Sequence, residues 1–327
     1  MRNRRKAPVL MCFFSIFAAV AFGCTGCVSS RSESGKKQEI ALVTKSTTSE
    51  FWHSVRAGAK AAAAEYNLDI TFEGPEKEED YRTQNEMVQK AIQRGAKVLV
   101  FSAVDYNANA QVIEEAAQAG VRILVIDSDV NSQAVESRIG TDNFAAGQLA
   151  ARTLLDGEEP VLHVGIVNYD VNSANGQQRE EGFRQEIQKD KRVADIITIN
   201  VISTTEDARM GTEQLLQKHP EINAIVTFNE WTSLGVGWAI RGMGLADATR
   251  VVAFDSNVVS VGMLETGEVD ALIVQNPYAM GYLGVETGWS LLNGQKVSDV
   301  MKTDTVVVTR ENMYDEECQR ILFTFEE

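Results

Sequence analysis

The chain has 327 residues, a net charge of −15 and 44% hydrophobic residues. That length accommodates two domains of ordinary size. The acidic balance repels phosphate backbones, which argues against nucleic acid as a partner and against a general affinity for anionic lipid. Cys12, Cys24 and Cys27 lie near the start and Cys318 stands alone near the end, so neither a disulfide framework nor a paired-cysteine metal site is expected. No cofactor and no metal is expected either.

The first residues read as an export signal. MRNRRK carries Arg2, Arg4, Arg5 and Lys6, and the apolar run Val9–Phe22 leads into GCTGC. That run is shorter than the ~20 residues of a spanning helix. A cysteine after glycine at the cut resembles a bacterial lipoprotein signal, with Cys24 or Cys27 lipidated. Neither has the usual leucine three residues upstream, and plain secretion is the alternative. CTGC has redox spacing but sits at the junction rather than beside a βαβ unit. Residues 1–23 are thus expected to be removed, and 24–38, polar and serine-rich, to form a tether.

Beyond the tether, short Val/Ile-rich runs alternate with longer amphipathic ones. IALVT from Ile40, DITFEG from Asp69, KVLVFS from Lys97 and RILVID from Arg122 form one set of strands. VLHVGIVNY from Val161, IITINVI from Ile196, AIVTFN from Ala224, VVAFD from Val251 and ALIVQN from Ala271 form a second. Helix patterns lie between them, several ending in glycine. Continuous apolar strands alternating with helices predict parallel sheets covered on both faces. Two such sets in series predict an α/β protein of two doubly wound domains, dividing near Arg138–Asn143.

Ligands of open parallel sheets bind beyond the carboxyl ends of the strands. Here those ends are Lys45–Ser49, Ser102–Asp105, Asp127–Ser128, Asn168–Asn175, Asn229–Glu230, Asp255–Ser256 and Gln275–Asn276. They are rich in Asp, Asn, Gln and Ser, whose carboxylates accept and whose amides both donate and accept, as hydroxyl groups require. The first turn, KSTTSEFW, closes on Phe51 and Trp52, and aromatic faces suit the C–H-rich side of a sugar ring. Singly, each polar residue is as well explained as a helix cap. The set as a whole reads as a polyol site.

Competing chemistry lacks its residues. The first turn has no glycine where GxGxxG is needed, GVGWAI from Gly235 fails at the third glycine, and GxxxxGK[ST] is absent. His53, His163 and His219 accompany no GxSxG elbow, so a histidine-activated nucleophile is not expected. DSDVN from Asp127 mimics an EF-hand opening, but Ser132 and Arg138 occupy the glycine and glutamate positions. EGPEKEED, Glu73–Asp80, reads as a solvated loop with acid at a helix start.

IALVTKSTTSEFW, VLVFSAVD, AGVRILVIDSD, GTDNFAAG, QQREEGF, LLQKHPEINAIVTFNE, VVAFD and ALIVQNPYAMGY together resemble the bacterial periplasmic sugar-binding proteins of the ribose-binding type. The resemblance runs from Ile40 to about Thr309. Sugar-responsive repressors share that fold but carry a DNA-binding helix pair where this chain has its export signal. The resemblance implies the type I periplasmic binding fold, with lobes 39–141 plus 276–304 and 142–275 plus 305–327. Three crossings join the lobes near Thr141–Asp142, Gln275–Asn276 and Lys302–Asp304, and VVVTRENM returns to the second lobe.

It implies further that Phe51 and Trp52 pack on the sugar ring and that Asp127 accepts from its hydroxyls. Asn229, Asp255 and Gln275 supply the second lobe's and the hinge's polar groups. Ser128 and Gln177 stand where the pattern has arginines, although Arg179 lies two residues on, and Ser49 stands where it has asparagine. Losing two forked donors removes strong directional bonds, while Lys45, beside Ser46 in the same loop, restores one positive donor. Ribose is therefore disfavoured against another pentose, a hexose or a cyclic polyol. Adjacent helical residues point about 100° apart, so Phe51 and Trp52 reach one ligand only if the helix start abuts the cleft. Otherwise one of them packs on the sheet.

The expected function is capture of a monosaccharide or polyol and its delivery to an ABC permease and ATPase, by a monomer held extracytoplasmically by a lipid. The alternative is sensing through a membrane histidine kinase or chemoreceptor. An enzyme of this fold class comes third, for want of a nucleotide loop, a paired nucleophile or a metal cluster.

Overall fold

The computed structural model describes residues 38–322. The signal segment and both candidate lipidation cysteines therefore lie outside the described residues. The first lobe contains β1 (Glu39–Val43), α1 (Glu50–Glu65), β2 (Asp69–Glu73), α2 (Tyr81–Arg94), β3 (Val98–Phe101), α3 (Ala110–Gln118), β4 (Arg122–Ile126) and β5 (Val135–Gly140). The second contains α4 (Asn143–Leu155), β6 (Leu162–Asn168), α5 (Ala174–Ile187), β7 (Val193–Asn200), α6 (Thr205–Lys218), β8 (Ala224–Thr227), α7 (Glu230–Met243), β9 (Arg250–Phe254), α8 (Val258–Thr266) and β10 (Ala271–Val274). The chain then returns to the first lobe for α9 (Pro277–Leu292) and β11 (Val300–Lys302), and ends in the second with β12 (Val306–Thr309) and α10 (Glu316–Leu322).

Both sheets have six strands and one topology. The orders are β11-β5-β4-β3-β1-β2 and β12-β10-β9-β8-β6-β7. Every pairing is parallel except that of the edge strand β12, which runs antiparallel to β10. In each sheet the strand order reverses beside the lobe's first strand, β1 or β6, and that reversal makes the crevice where doubly wound folds bind ligands.

Strand residues alternate between faces with period two. Ile40, Leu42, Val98, Val100, Leu124 and Ile126 pack beneath α1 and α9. Ala41, Val43, Leu99, Phe101, Ile123 and Val125 fill the opposite face. The second sheet divides its strand residues in the same way between two buried clusters. This double coverage is why the strands read as unbroken apolar runs.

One helix pair in each lobe packs at backbone distance. A Cβ added to Gly58 or Gly281 would lie 2.0 Å from the Tyr278 carbonyl oxygen or 1.9 Å from that of Val55. At Gly147 and Gly182 it would lie 2.0 Å from the carbonyl oxygens of Arg179 and Phe144. The α1–α9 pair holds the start of α1, with its aromatics, at the cleft. The α4–α5 pair does the same for Arg179.

Three segments pass between the lobes, after β5, after β10 and after β11. Side chains tie them together. Thr141 Oγ1 donates to Gln275 Oε1 at 2.8 Å, and Lys302 Nζ donates to Asp142 Oδ2 at 2.7 Å.

Candidate functional site

The carboxyl ends of the two sheets face one another across a cleft. It encloses about 320 Å³ of space not filled by protein, its mouth and open solvent included.

From the first lobe, Ser49 caps α1 by accepting from Trp52 N at 3.4 Å. This sets Phe51 and Trp52 in the first turn, against the cleft. Their rings meet edge to face, with centroids 4.9 Å apart and planes at 84°. Trp52 is 2% exposed and belongs to the core under α1, and its Nε1 donates to Glu78 Oε1 at 3.0 Å. Phe51 is half-buried. Both line the cleft, so Trp52 serves the core and the site together, while Phe51 presents the more accessible ring. Lys45 is buried, donates to Ser173 Oγ of the second lobe at 2.7 Å and stands 5.0 Å over the Tyr169 ring.

Asp127 and Asp255 occupy equivalent places, after β4 and β9. Both adopt left-handed backbone conformations, with φ of 56° and 66°, which non-glycine residues adopt at some expense and which cluster at functional sites. Asp127 accepts from Ser102 Oγ at 3.0 Å and from Asn175 Nδ2 at 2.9 Å. Asp255 accepts from Gln275 Nε2 at 2.7 Å. Burial pushes the Asp255 carboxyl up to about 7, against the opposing pull of Arg179 and the Gln275 bond. Burial also raises Glu230, while Asn257 and the amides of Phe51 and Glu50 pull it down.

Arg179 forms the floor. It is 1% exposed, and its guanidinium donates to Asn143 Oδ1 at 2.8 Å, the Phe228 carbonyl oxygen at 2.6 Å and Gln275 Oε1 at 2.8 Å. It lies 4.8 Å over the Phe254 ring and 3.9 Å from Asp127. Its forked geometry thus couples the second lobe, the hinge glutamine and the first lobe's carboxylate. Asn229 is both wall and cap: Oδ1 accepts from Thr232 N at 3.0 Å, and Nδ2 donates to Ser203 Oγ at 2.7 Å.

Of the residues expected from sequence, Lys45, Ser49, Phe51, Trp52, Asp127, Arg179, Asn229, Asp255 and Gln275 line the cleft together. Ser46, Ser128 and Gln177 stand off its wall. The Ser46 hydroxyl lies 3.0 Å from that of Thr48 within its own loop. Ser128 is held against its own lobe, its amide donating to the Ile126 carbonyl oxygen at 2.7 Å and its carbonyl oxygen accepting from Ala103 N at 3.0 Å. Gln177 sits two residues before Arg179 on α5, about 200° around the helix from it. Asn175, four residues before Arg179, shares its face and lines the cleft instead.

Glu78, Tyr169, Asn175, Glu230 and Trp231 complete the wall. The i, i+4 spacing to Arg179 is a sequence signal for Asn175. Tyr169, Glu230 and Trp231 stand at or just beyond strand ends, where an aromatic or acid is informative. The acidic loop before α2 is a correction. Asp80 does cap α2, accepting from Thr83 N at 3.0 Å, but the loop is not merely solvated. Glu78 Oε2 accepts from Ser203 Oγ at 2.9 Å and Glu79 Oε1 from Ser203 N at 2.6 Å, both across the cleft. The three histidines stay outside the wall. His163 and His219 pair with Asp195 and Glu221 at 2.9 and 3.1 Å.

The described residues contain no group of three His, Cys, Asp or Glu side chains placed to hold a metal ion, and none of their helices is long and apolar enough to cross a membrane.

Comparison with known proteins agrees with this geometry. The family model of the periplasmic binding protein domain matches residues 40–296. The D-ribose/D-allose-binding protein of Pseudomonas aeruginosa is 28% identical over 296 residues, covering 85% of this chain and 90% of that protein. The ribose import binding protein of Escherichia coli is 26% identical over 285 residues, covering 84% and 92%. Among solved structures, a solute-binding protein of Agrobacterium radiobacter in complex with D-arabinose superposes with a TM-score of 0.85 at 27% identity, covering 88% of this chain and all of that one. One from Agrobacterium vitis with bound D-fucose gives 0.84 at 29% identity, covering 87% and 99%. These relatives are solute-binding proteins rather than enzymes, and their family implies an extracytoplasmic location. The chain belongs to the periplasmic binding protein family, as a sugar-binding protein of the ribose type with the type I fold.

Proposed function

We propose that the protein is an extracytoplasmic lipoprotein, anchored through Cys24 or Cys27, that captures a neutral monosaccharide or related polyol between its lobes and delivers it to an ABC importer. The observation that carries this reading is the chemistry of the cleft wall. The Phe51 ring and the edge of Trp52 offer an apolar face from one side, while Asp127, Asp255, Asn175 and Gln275 surround it with acceptors and donors. Four carboxylates, Glu78, Asp127, Glu230 and Asp255, face only two cations, Lys45 and Arg179. Burial raises the protonation midpoints of Asp255 and Glu230, so the wall has no excess of positive charge to hold sugar acids or sugar phosphates and suits hydroxyl groups. Arg179 spends three donors on protein acceptors, so Lys45 is the principal positive donor toward a ligand, in place of the arginines of the ribose pattern. Ligand binding draws the lobes together about the three crossings, and the importer reads the closed form.

Mass spectrometry of what is released on denaturing the purified protein tests the ligand class. Thermal-shift screening of pentoses, hexoses and inositols, with calorimetry on each hit, gives the affinity. A neutral sugar or polyol is expected. If only anionic solutes bind, or no polyol does, the reading fails. Uptake of the labelled hit by cells with and without the protein tests delivery, and palmitate labelling lost in Cys24→Ser or Cys27→Ser tests the anchor.

A further inference from the structure

Glu230 opens α7 in the second lobe, and its side chain crosses to the first. It is 6% exposed. Oε2 accepts from the amide of Phe51 at 3.1 Å and Oε1 from that of Glu50 at 3.4 Å. Asn257 Nδ2, at the start of α8, donates to Oε1 at 2.9 Å.

The first amides of a helix have no partner within it. In α1 the Ser49 hydroxyl meets Trp52 N, and the carboxylate of the other lobe meets Glu50 and Phe51. Burying a carboxylate is unfavourable unless it is hydrogen-bonded and electrostatically compensated. Here the positive ends of α1 and α8 converge on it. Both sides of this contact regain water when the lobes part, so it exists only in the closed arrangement.

We infer that Glu230 is the closure latch of this protein, fastening the first turn of α1 to the second lobe and thereby setting the Phe51 ring in the cleft. The inference rests on the sugar-capture reading for its purpose, but the contact itself joins lobe to lobe and needs no ligand. Glu78 and Glu79 make the corresponding bonds to Ser203 from another loop. Glu230 differs in grasping backbone amides directly beside an aromatic of the site, so releasing it frees that ring as well as the lobe. It is a positioning residue, and its effect should appear in the lifetime of the complex rather than in encounter.

Two variants of the full-length protein test this. Glu230→Gln keeps the shape and removes the charge. Glu50→Pro removes one donated amide at the first helical position, where proline is tolerated, and Glu50 is not part of the cleft wall. Hydrogen exchange at Glu50 and Phe51, read by mass spectrometry with electron-transfer fragmentation, reports the latch with or without sugar. In the wild type these amides should be protected. In Glu230→Gln they should exchange about tenfold faster or more, the scale of a charged hydrogen bond, while Ala59–Ala63 in the same helix keep their rates.

With the sugar identified by screening, stopped-flow tryptophan fluorescence should show dissociation about tenfold faster in Glu230→Gln, with association changed less than threefold. Glu50→Pro should move dissociation the same way. Wild-type amides exchanging as in an unstructured chain under both conditions would overturn the latch, as would rates unaltered by Glu230→Gln. Faster dissociation in Glu230→Gln alone, with Glu50→Pro silent, would make Glu230 a ligand contact and also overturn it. Failure of the sugar reading looks different: no sugar alters the fluorescence, while the amide rates still report the latch.

Discussion

Replacing Asp255 with Asn should make the ligand-free protein more stable at high pH while weakening sugar capture. The carboxyl is buried, and its protonation midpoint rises from 3.8 to about 7. A raised acid binds more protons in the folded than in the unfolded chain between those values. Its stabilising contribution is therefore complete at low pH and lost as pH rises through 7. Above pH 8 the group is ionised in both states, and the raised folded midpoint lowers the folding stability by about 4 kcal/mol relative to low pH, at 1.36 kcal/mol per pH unit. Asparagine is neutral at every pH and can still accept from Gln275 Nε2, but it gives Arg179 no charge to face. The net gain at pH 8.5 should be about 2 kcal/mol. At pH 5, where the folded Asp255 is protonated but the unfolded carboxyl is already ionised, it should be lower by about 3 kcal/mol, so that it vanishes or reverses slightly. Urea unfolding of both proteins at the two pH values reads this directly. Glu79, also raised by burial, titrates in the same direction in both proteins and cancels in the difference, whereas Glu230, whose charge acts on Asp255, adds to the pH-dependent part of the gain. A gain of the same size at both pH values, or a loss that grows at pH 8.5, would refute the assignment of the strain to an ionised Asp255.

Other substitutions separate site from scaffold. Phe51→Ala should weaken sugar binding by about 1–3 kcal/mol with little change in unfolding free energy, since the ring is half-buried. Trp52→Ala should lose binding and also about 3–5 kcal/mol of stability, because that ring is core. Calorimetry and urea unfolding on both variants distinguish the two roles, and equal stability losses would show them to be misassigned. Gly281→Ala should destabilise by about 1–3 kcal/mol, since its Cβ would lie 1.9 Å from the Val55 carbonyl oxygen. Gly262→Ala, inside α8 with nothing within 4 Å, should instead stabilise by about 0.5–1 kcal/mol. Thermal melts of the pair check that helix proximity, rather than glycine itself, decides the sign.

The strands of the two doubly wound sheets were legible because burial on both faces leaves unbroken Val/Ile runs. β5, β11 and β12 were not, for a related reason. VESRIG and VMK lie on the outer side of the first sheet, and polar residues interrupt or flank them. β12 reads as one more apolar run, with nothing local to say that it pairs antiparallel with β10. Site residues at the mouths of strands could be read from position alone, which is how Asp127, Asn229, Asp255 and Gln275 emerged. Glu78 could not, because its role comes from a partner in the other lobe, Ser203, that lies 125 residues away. Gln177 stands off the wall because two residues turn a side chain about 200° around α5, and the residue pattern of the ribose-binding type carries no helical phase. Counting 3.6 residues per turn back from Arg179 selects Asn175.

The two lobes repeat one solution. Each has the same strand order, a glycine-seated helix pair and a left-handed aspartate after its fourth strand. Facing one another, these repeats set two carboxylates against the same small space, and such an arrangement is self-repelling without compensation. The duplication cannot supply that compensation, because it would repeat it. The symmetry is instead broken at α5, where Arg179 lies 3.9 Å from Asp127 and lowers the protonation midpoint of Asp255, while Gln275 at the second crossing bonds both Arg179 and Asp255. One cation therefore serves both carboxylates through a hinge residue. The charge balance of the site and the position of the lobes are thus coupled through Gln275, and a ligand hydroxyl that bonds to Asp255 necessarily acts on the hinge as well.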